Sequence, residues 1–182
     1  MSDRRRVAPL VAIVLAVVLA GLFVVLLGAD ASSDETADTP LLDQPAPAAK
    51  GELGDGTSFD LSQRKGSWVV VNFFQSSCAP CKVEHPALVD FVDAESTRAD
   101  GADFYTVVYD DDRESVEAFF EQQGGDWPVV YDDDGSIAVA FGVAKVPETW
   151  IIDPDGVVRE RIISTVSADF LRRELDRFRL AG

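Results

Sequence analysis

Residues 68–86 read WVVVNFFQSSCAPCKVEHP and contain the change from strand to helix that decides the fold. The run Trp68–Phe74 is short, continuous and apolar, which is typical of a central strand buried on both faces. Apolar residues recur at helical spacing beyond the two cysteines, and Pro80 suits the first turn of a helix. The stretch therefore predicts a buried strand that leads through Cys78 and Cys81 into a helix.

The remainder of this domain alternates between strand and helix patterns. The turn signal Pro154-Asp155-Gly156 separates two apolar runs, which predicts a hairpin near the C-terminus. This alternation predicts an α/β domain over residues 50–182, with helices on both faces of its sheet. Further strands are predicted at 104–109, 129–131, 149–152 and 157–163, helices around 116–120, 137–141 and 170–178, and a small first hairpin over 51–59.

Composition excludes several classes of function. The 182 residues include 16 basic and 32 acidic side chains, for a formal net charge of −16. Such a chain offers no basic groove for nucleic acid. Two cysteines and one histidine exclude four-cysteine metal or iron–sulfur sites and sites built from several imidazoles. We therefore expect neither a metal nor a cofactor other than the cysteine pair itself.

The N-terminal region has the composition of a membrane anchor. Residues 7–29 carry no charge, and as a helix they would span roughly 34 Å, enough to cross a bilayer core of about 30 Å. Arg4, Arg5 and Arg6 precede this run, which predicts a cytoplasmic N-terminus. We expect residues 1–29 to form a cytoplasmic tip and a single-pass anchor in the cell membrane. The alternative is a signal peptide cleaved near Ala29-Asp30-Ala31.

Residues 30–49 differ in composition from the segments on either side. They contain five acidic residues, three prolines and no basic residue. Such a segment predicts a flexible, self-repelling linker. The folded domain is therefore expected outside the cytoplasm, at the end of this linker.

The two cysteines suit thiol–disulfide exchange. A helix N-terminus stabilises a thiolate, so the pKa of Cys78 should fall and its nucleophilicity should rise. Cys81 lies about one turn further on, within reach to form a disulfide and release a trapped substrate. A purely structural disulfide is the main alternative, but a bridge that closes so short a loop adds little stability. Half of a zinc site is a weaker alternative, because a second ligand pair is missing.

Two stretches carry a family resemblance. Residues 68–86, together with GVAKVPETWIIDPDG at 142–156, resemble the membrane-anchored thiol–disulfide oxidoreductases of cytochrome c maturation and the TlpA-like disulfide reductases. The likeness spans roughly residues 50–180. It implies a thioredoxin-like fold, with a central mixed sheet flanked by helices and preceded by one transmembrane helix. It also implies an enzyme that reduces protein disulfides, apocytochrome c among its candidate substrates, with a membrane thiol carrier as electron donor.

The resemblance also implies roles for individual residues. Cys78 and Cys81 match the redox pair, and Glu84 matches a carboxylate that tunes the cysteines or relays protons. The alternative for Glu84 is an ordinary solvated helix residue. Ser77 departs from the family, which usually has tryptophan immediately before the first cysteine.

A second set of matching residues implies where substrate binds. Pro147 matches the cis-proline that faces the disulfide, and Val146 would offer backbone groups to a substrate strand. Glu148 matches an acid near the site. These three residues are therefore the expected substrate-binding segment.

Two other functions match only part of the pattern. A peroxiredoxin-like peroxide reductase has threonine or serine three residues before its reactive cysteine, where this chain has Gln75. A copper-delivering thioredoxin-fold protein uses wider cysteine spacing and a distant histidine, whereas His85 lies only four residues beyond Cys81. We expect His85 on the helix surface. The aspartate runs Asp110–Asp112 and Asp132–Asp134 lack calcium-loop spacing and are expected in solvated loops.

Overall fold

The computed structural model describes residues 13–21, 23 and 36–181. The chain separates into two units, residues 1–32 and 33–182. In the first unit the described residues are helical and their apolar side chains are exposed. Within the described parts of the chain, no helix has both the length and the apolar character needed to span a bilayer. Much of the predicted anchor and the whole predicted cleavage site lie outside these residues.

A seven-stranded mixed sheet forms the centre of the second unit. The central strand β3 pairs in parallel with β4 and antiparallel with β6, and all six of its residues are buried, as the apolar run predicts. The two predicted hairpins are present as β1–β2 and β6–β7. The order across the sheet is β2-β1-β5-β4-β3-β6-β7. The strands are β1 (Lys50–Leu53), β2 (Ser58–Asp60), β3 (Val69–Phe74), β4 (Asp103–Val108), β5 (Val129–Tyr131), β6 (Glu148–Ile152) and β7 (Val158–Ile162).

Four helices cover the sheet. They are α1 (Ala79–Ser96), α2 (Arg113–Gln123), α3 (Ser136–Phe141) and α4 (Ala168–Ala181), and a short 3-10 helix spans Leu61–Arg64. Because side chains alternate along a strand, β3 contributes to a core on each face. Val70 packs with apolar residues of α1 and α4, whereas Val71 packs with those of α3. The helices therefore lie on both faces, as predicted.

Fourteen of the twenty residues of the predicted flexible linker lie in the described part of the domain, and several of them pack against it. Residues 36–49, here named the strap, run beside β7, and Leu41 and Leu42 pack against the core. Asp43 N–H donates to Val158 O at 2.9 Å, and Val158 N–H donates to Gln44 O at 2.9 Å. The linker prediction is therefore corrected over this part. Acidic composition indicated a solvated tether, but the two leucines and an open strand edge hold the segment in place.

Candidate redox site

Cys78 and Cys81 lie at the start of α1, just beyond the end of β3. They form a disulfide, with Cα atoms 5.3 Å apart. Cys78 is the N-cap residue, and Cys81 N–H donates to its Sγ at 3.1 Å. Cys78 is half-buried, whereas Cys81 is only 1% exposed. An incoming group therefore reaches the sulfur of Cys78 first, at a helix end that stabilises negative charge.

The segment before β6 lies beside this disulfide. Because β6 runs antiparallel to β3, its first residues lie next to the last residues of β3. The Val146 carbonyl oxygen is 3.7 Å from Cys78 Sγ. The Val146–Pro147 peptide is cis, and Pro147 is buried. The structure thus brings Val146 and Pro147 to the redox pair.

Glu84 is buried beneath the site rather than solvated. It follows Cys81 by three residues on α1, which places both on one face of the helix. Its side chain is 2% exposed. Asn72 Nδ2 donates to Oε1 and Val166 N–H donates to Oε2, each at 3.0 Å. Burial raises the pKa of Glu84 to about 7, against a smaller lowering by these hydrogen bonds. The carboxyl group can therefore hold or release a proton near neutral pH.

Asn72 is a member of this cluster that sequence reasoning missed. It lies in the middle of β3 and is fully buried. Its Nδ2 donates to Glu84 and also to Thr149 Oγ1 at 3.0 Å, whereas its Oδ1 has no hydrogen-bond partner among the residues that the structure describes. The signal was present in the sequence as one amide among apolar residues. A buried strand rarely holds such a group unless a polar partner faces it.

Glu148 is also buried, but its partners differ from those of Glu84. Arg161 Nε donates to Oε1 and Arg161 Nη2 to Oε2, each at 3.0 Å. Trp150 Nε1 donates to Oε1 at 2.8 Å. Glu148 itself is 2% exposed. This bidentate pair joins β6 to β7, so the carboxylate directly supports the strand that follows Pro147.

The prediction that His85 lies on the helix surface is wrong. His85 is 3% exposed, and its Nε2–H donates to Gly124 O at 2.9 Å. Its ring centroid lies 4.8 Å from that of Phe119 and 5.4 Å from those of Phe120 and Trp127. Burial lowers the pKa of His85. The side chain therefore serves as a neutral packing group between α1 and α2.

The aspartate runs have structural partners. Ser76 N–H donates to Asp111 Oδ2 at 2.5 Å, which links the loop before Cys78 to the loop between β4 and α2. Asp112 caps α2 by accepting from Ser115 N–H at 2.9 Å. Asp132 accepts from the first backbone N–H groups of α3. Both runs lie in largely exposed loops, as expected. Asp112 and Asp132 in addition satisfy backbone N–H groups at helix N-termini.

Comparisons with known proteins agree with this geometry. The AhpC/TSA family model matches residues 42–161. The chain is 33% identical over 141 residues to the thiol:disulfide interchange protein HelX of Rhodobacter capsulatus, covering 76% of this chain and 77% of that protein. It is 28% identical to the thiol-disulfide oxidoreductase ResA of Bacillus subtilis, covering 64% of each.

Solved structures show the same fold. A thiol:disulfide interchange protein of the thioredoxin family from Chlorobium tepidum superposes with a TM-score of 0.66 at 26% identity, covering 78% of this chain and 98% of that one. The thioredoxin domain of a thiol-disulfide oxidoreductase from Bacteroides vulgatus gives 0.66 at 24% identity, covering 77% and 99%. The fold is thioredoxin-like, and the chain belongs to the AhpC/TSA family as a thiol–disulfide oxidoreductase.

Proposed function

We propose that the protein is a membrane-anchored, extracytoplasmic reductase of protein disulfides, which acts in cytochrome c maturation or a related thiol pathway of the cell envelope. The observation that carries the proposal is the unequal burial of the two sulfurs. Cys78 is half-buried beside the Val146 carbonyl, and Cys81 is buried behind it. Cys78 Sγ can therefore react first with a protein substrate, and Cys81 Sγ can then release that substrate by forming the disulfide with Cys78.

The reaction proceeds in two exchange steps. In the reduced protein the Cys78 thiolate attacks a substrate disulfide, forms a mixed disulfide and expels one substrate thiolate, which takes up a proton. Cys81 then loses its proton and attacks Cys78 Sγ, which expels the second substrate thiolate and forms the Cys78–Cys81 disulfide. Two electrons pass to the substrate. A membrane dithiol carrier returns the protein to its reduced state by the same exchange in reverse.

Two groups assist these steps in this proposal. Glu84, with a pKa of about 7, accepts the proton that Cys81 gives up and returns it when the pair is reduced again. Val146 offers its backbone to an extended substrate segment that carries the target cysteine, and Pro147 holds that backbone against Cys78. Glu148 supports this segment through Arg161.

The membrane location rests on sequence composition. Residues 7–29 are uncharged and follow three arginines, which favours a single-pass anchor with the N-terminus in the cytoplasm. A membrane-impermeant maleimide applied to intact cells should label the reduced Cys78. Labelling only after the cells are broken would place the domain on the other side.

A trapping experiment tests the function. Cys81→Ser should retain a mixed disulfide between Cys78 and its substrate, and Cys78→Ser/Cys81→Ser should retain none. The captured protein should be an apocytochrome c or another envelope thiol protein. The redox potential of the pair tests the direction, since a reductant should lie nearer to thioredoxin, at about −270 mV, than to the oxidant DsbA, at about −120 mV. A value near that of DsbA would overturn the reductase assignment.

Peroxide reduction is the second candidate, because the family model includes AhpC in its description. Gln75 occupies the position three residues before Cys78, and its Nε2 donates to Asp110 O at 2.7 Å. This amide therefore anchors the loop rather than activating a peroxide. Consumption of hydrogen peroxide by the reduced protein at a rate above that of a free thiol would favour this candidate.

Copper delivery is the third candidate and has less support. His85 is committed to Gly124 O and to an aromatic cluster. In the part of the chain that the structure describes, no group of three or more His, Cys, Asp or Glu side chains is arranged to hold a metal. Copper that copurifies with the protein and is lost in Cys78→Ser would support this function.

A further inference from the structure

A cavity of about 290 Å³ lies at the opposite end of the sheet from the disulfide. Val69 begins β3 and Ile152 ends β6, and these two residues are paired in the sheet and line the cavity. The strap contributes residues 45–48 and the 3-10 helix contributes Leu61. Cys78 follows the other end of β3, so this cavity is separate from the redox site.

Two of the three cations that line the cavity have no carboxylate partner among the described residues. Lys50, Arg64 and Lys65 line it, together with the carboxylates of Asp60 and Asp153. Neither carboxylate pairs with Arg64 or Lys65. Asp60 pairs with Lys50, whose Nζ lies 3.2 Å away, and Asp153 accepts from Arg159 at 2.7 Å. The side chains of Arg64 and Lys65 form no ion pair or hydrogen bond with any other residue in 13–21, 23 and 36–181. Two positive charges therefore remain at the cavity.

Arg64 is the more informative of these two cations. Its Nε is buried and has no hydrogen-bond partner among the described residues. Its guanidinium carbon lies 5.5 Å from the ring centroid of Tyr105 and 5.9 Å from that of Phe59, so two aromatic rings hold the group in place. A buried N–H without an acceptor costs free energy.

Most other arginines of the domain differ from Arg64 because they have a carboxylate partner. Apart from Arg64 and Arg173, every arginine in residues 36–181 forms an ion pair with a carboxylate. In a chain with 32 acidic and 16 basic residues, a carboxylate could have served Arg64 as well. Arg179 Nε is also buried without a hydrogen-bond partner among the described residues, but the Arg179 guanidinium pairs with Glu95. The positive charge of Arg64 at the cavity has no such carboxylate partner within residues 36–181 and is open to an external anion.

We propose that the cavity binds a small organic carboxylate with a short apolar body. The terminal nitrogens of the planar Arg64 guanidinium are not among its buried atoms, and together they form a fork that matches the two oxygens of a carboxylate. Lys65 adds a second positive charge, and the apolar body lies against Leu61, Val69 and Ile152. The volume admits a compound of the size of hexanoate, near the lower limit of ligand pockets. This inference is independent of the proposed disulfide-reductase function.

Hydrogen exchange in the strap provides the test, because residues 45–48 form one wall of the cavity. The full-length, oxidised protein in lipid nanodiscs is titrated with hexanoate, and exchange is followed by mass spectrometry. Hexanoate should slow exchange of strap amides such as Ala46 N–H, which donates to Gly156 O at 2.8 Å. Hexan-1-ol has a six-carbon chain like that of hexanoate but no charge, and inorganic phosphate has charge but no alkyl chain. Each should slow exchange of the strap amides at least tenfold less than hexanoate does.

Three variants separate specific binding from other effects. Arg64→Gln should raise the hexanoate concentration for half-protection at least tenfold. Arg173→Gln is the matched control, because Arg173 lies over the ring of Phe170 and away from the cavity. Ala48→Leu should block the cavity while Arg64 stays intact, and Ala48 is exposed enough to accept the larger side chain.

The outcomes decide the proposal in either direction. Protection by hexanoate that is lost in Arg64→Gln and Ala48→Leu, and retained in Arg173→Gln, supports the site. No protection in the unmodified protein overturns it. Equal protection by hexan-1-ol or phosphate, or an equal loss in Arg173→Gln, also overturns it, because the effect would then reflect apolar contact or charge alone.

Discussion

Replacement of Glu84 by glutamine should change how the stability of the protein depends on pH. Burial raises the pKa of Glu84 from 4.5 to about 7 in the folded chain. The folded state therefore binds a proton more tightly than the unfolded state does. The resulting stability is fully present below about pH 4.5 and is lost as pH rises to about 7. At about 1.36 kcal/mol per pH unit, the difference between 4.5 and about 7 corresponds to about 3 kcal/mol.

The measurement is urea unfolding of the oxidised protein and of Glu84→Gln between about pH 4 and about pH 9. Glutamine cannot ionise, so the free energy of unfolding of the variant, relative to that of the natural chain, should rise by about 3 kcal/mol across the interval. Because His85 and the other titrating groups are present in both proteins, their contributions cancel in this difference. Asn72 Oδ1 has no partner within residues 36–181, and it can accept from the new amide if the Asn72 amide group rotates by half a turn.

Glu121→Gln is the matched control, because Glu121 is an exposed carboxylate on α2. Its free energy of unfolding relative to the natural chain gives the effect of removing one surface carboxylate, and the change in Glu84→Gln should exceed it by about 3 kcal/mol across the interval. If the difference for Glu84→Gln changes with pH no more than that for Glu121→Gln, Glu84 does not take up a proton on folding. The proton-relay role assigned to it would then have no basis.

Three further changes test other parts of the fold. Arg161→Met leaves the buried Glu148 carboxylate without its bidentate partner and should lower the free energy of unfolding by about 3 kcal/mol, measured in urea. Gly51→Ala places a Cβ 2.7 Å from a backbone oxygen of β5 and should lower the free energy of unfolding by about 1–3 kcal/mol. Gly54→Ala is the control and should lower it less, because the nearest atom to the new Cβ is 3.9 Å away. Leu42→Ala removes a contact between the strap and the core and should speed proteolysis within the strap. An unchanged cleavage rate would contradict that packing, and unfolding curves that match the natural chain would contradict the first two predictions.

The strands and the redox pair could be predicted because their signals are local. An apolar run such as Trp68–Phe74 has few alternatives to a buried strand, and a proline between two cysteines suits the helix that follows. The structure confirms both elements, with β3 at 69–74 and α1 from Ala79. Short-range patterns were sufficient here because each element is determined largely by its own residues.

The environment of individual side chains could not be predicted in the same way. His85 is covered by Phe119, Phe120 and Trp127, which lie far along the chain on and after α2. Helical spacing identifies which residues share a face, but it does not say which element packs on that face. Glu84 is buried for the same reason, since Val166 reaches it from the segment before α4.

The strap has a consequence for work with shortened versions of the protein. A strand at the border of a sheet presents free N–H and C=O groups to which a strand of another molecule can attach. In this protein residues 37–46 occupy such groups on and next to β7, through bonds to Arg161, Val158 and Gly156. In a fragment that starts at Lys50, the backbone groups at this sheet edge would lack these partners. We expect such a fragment to self-associate and precipitate under conditions in which the longer chain does not.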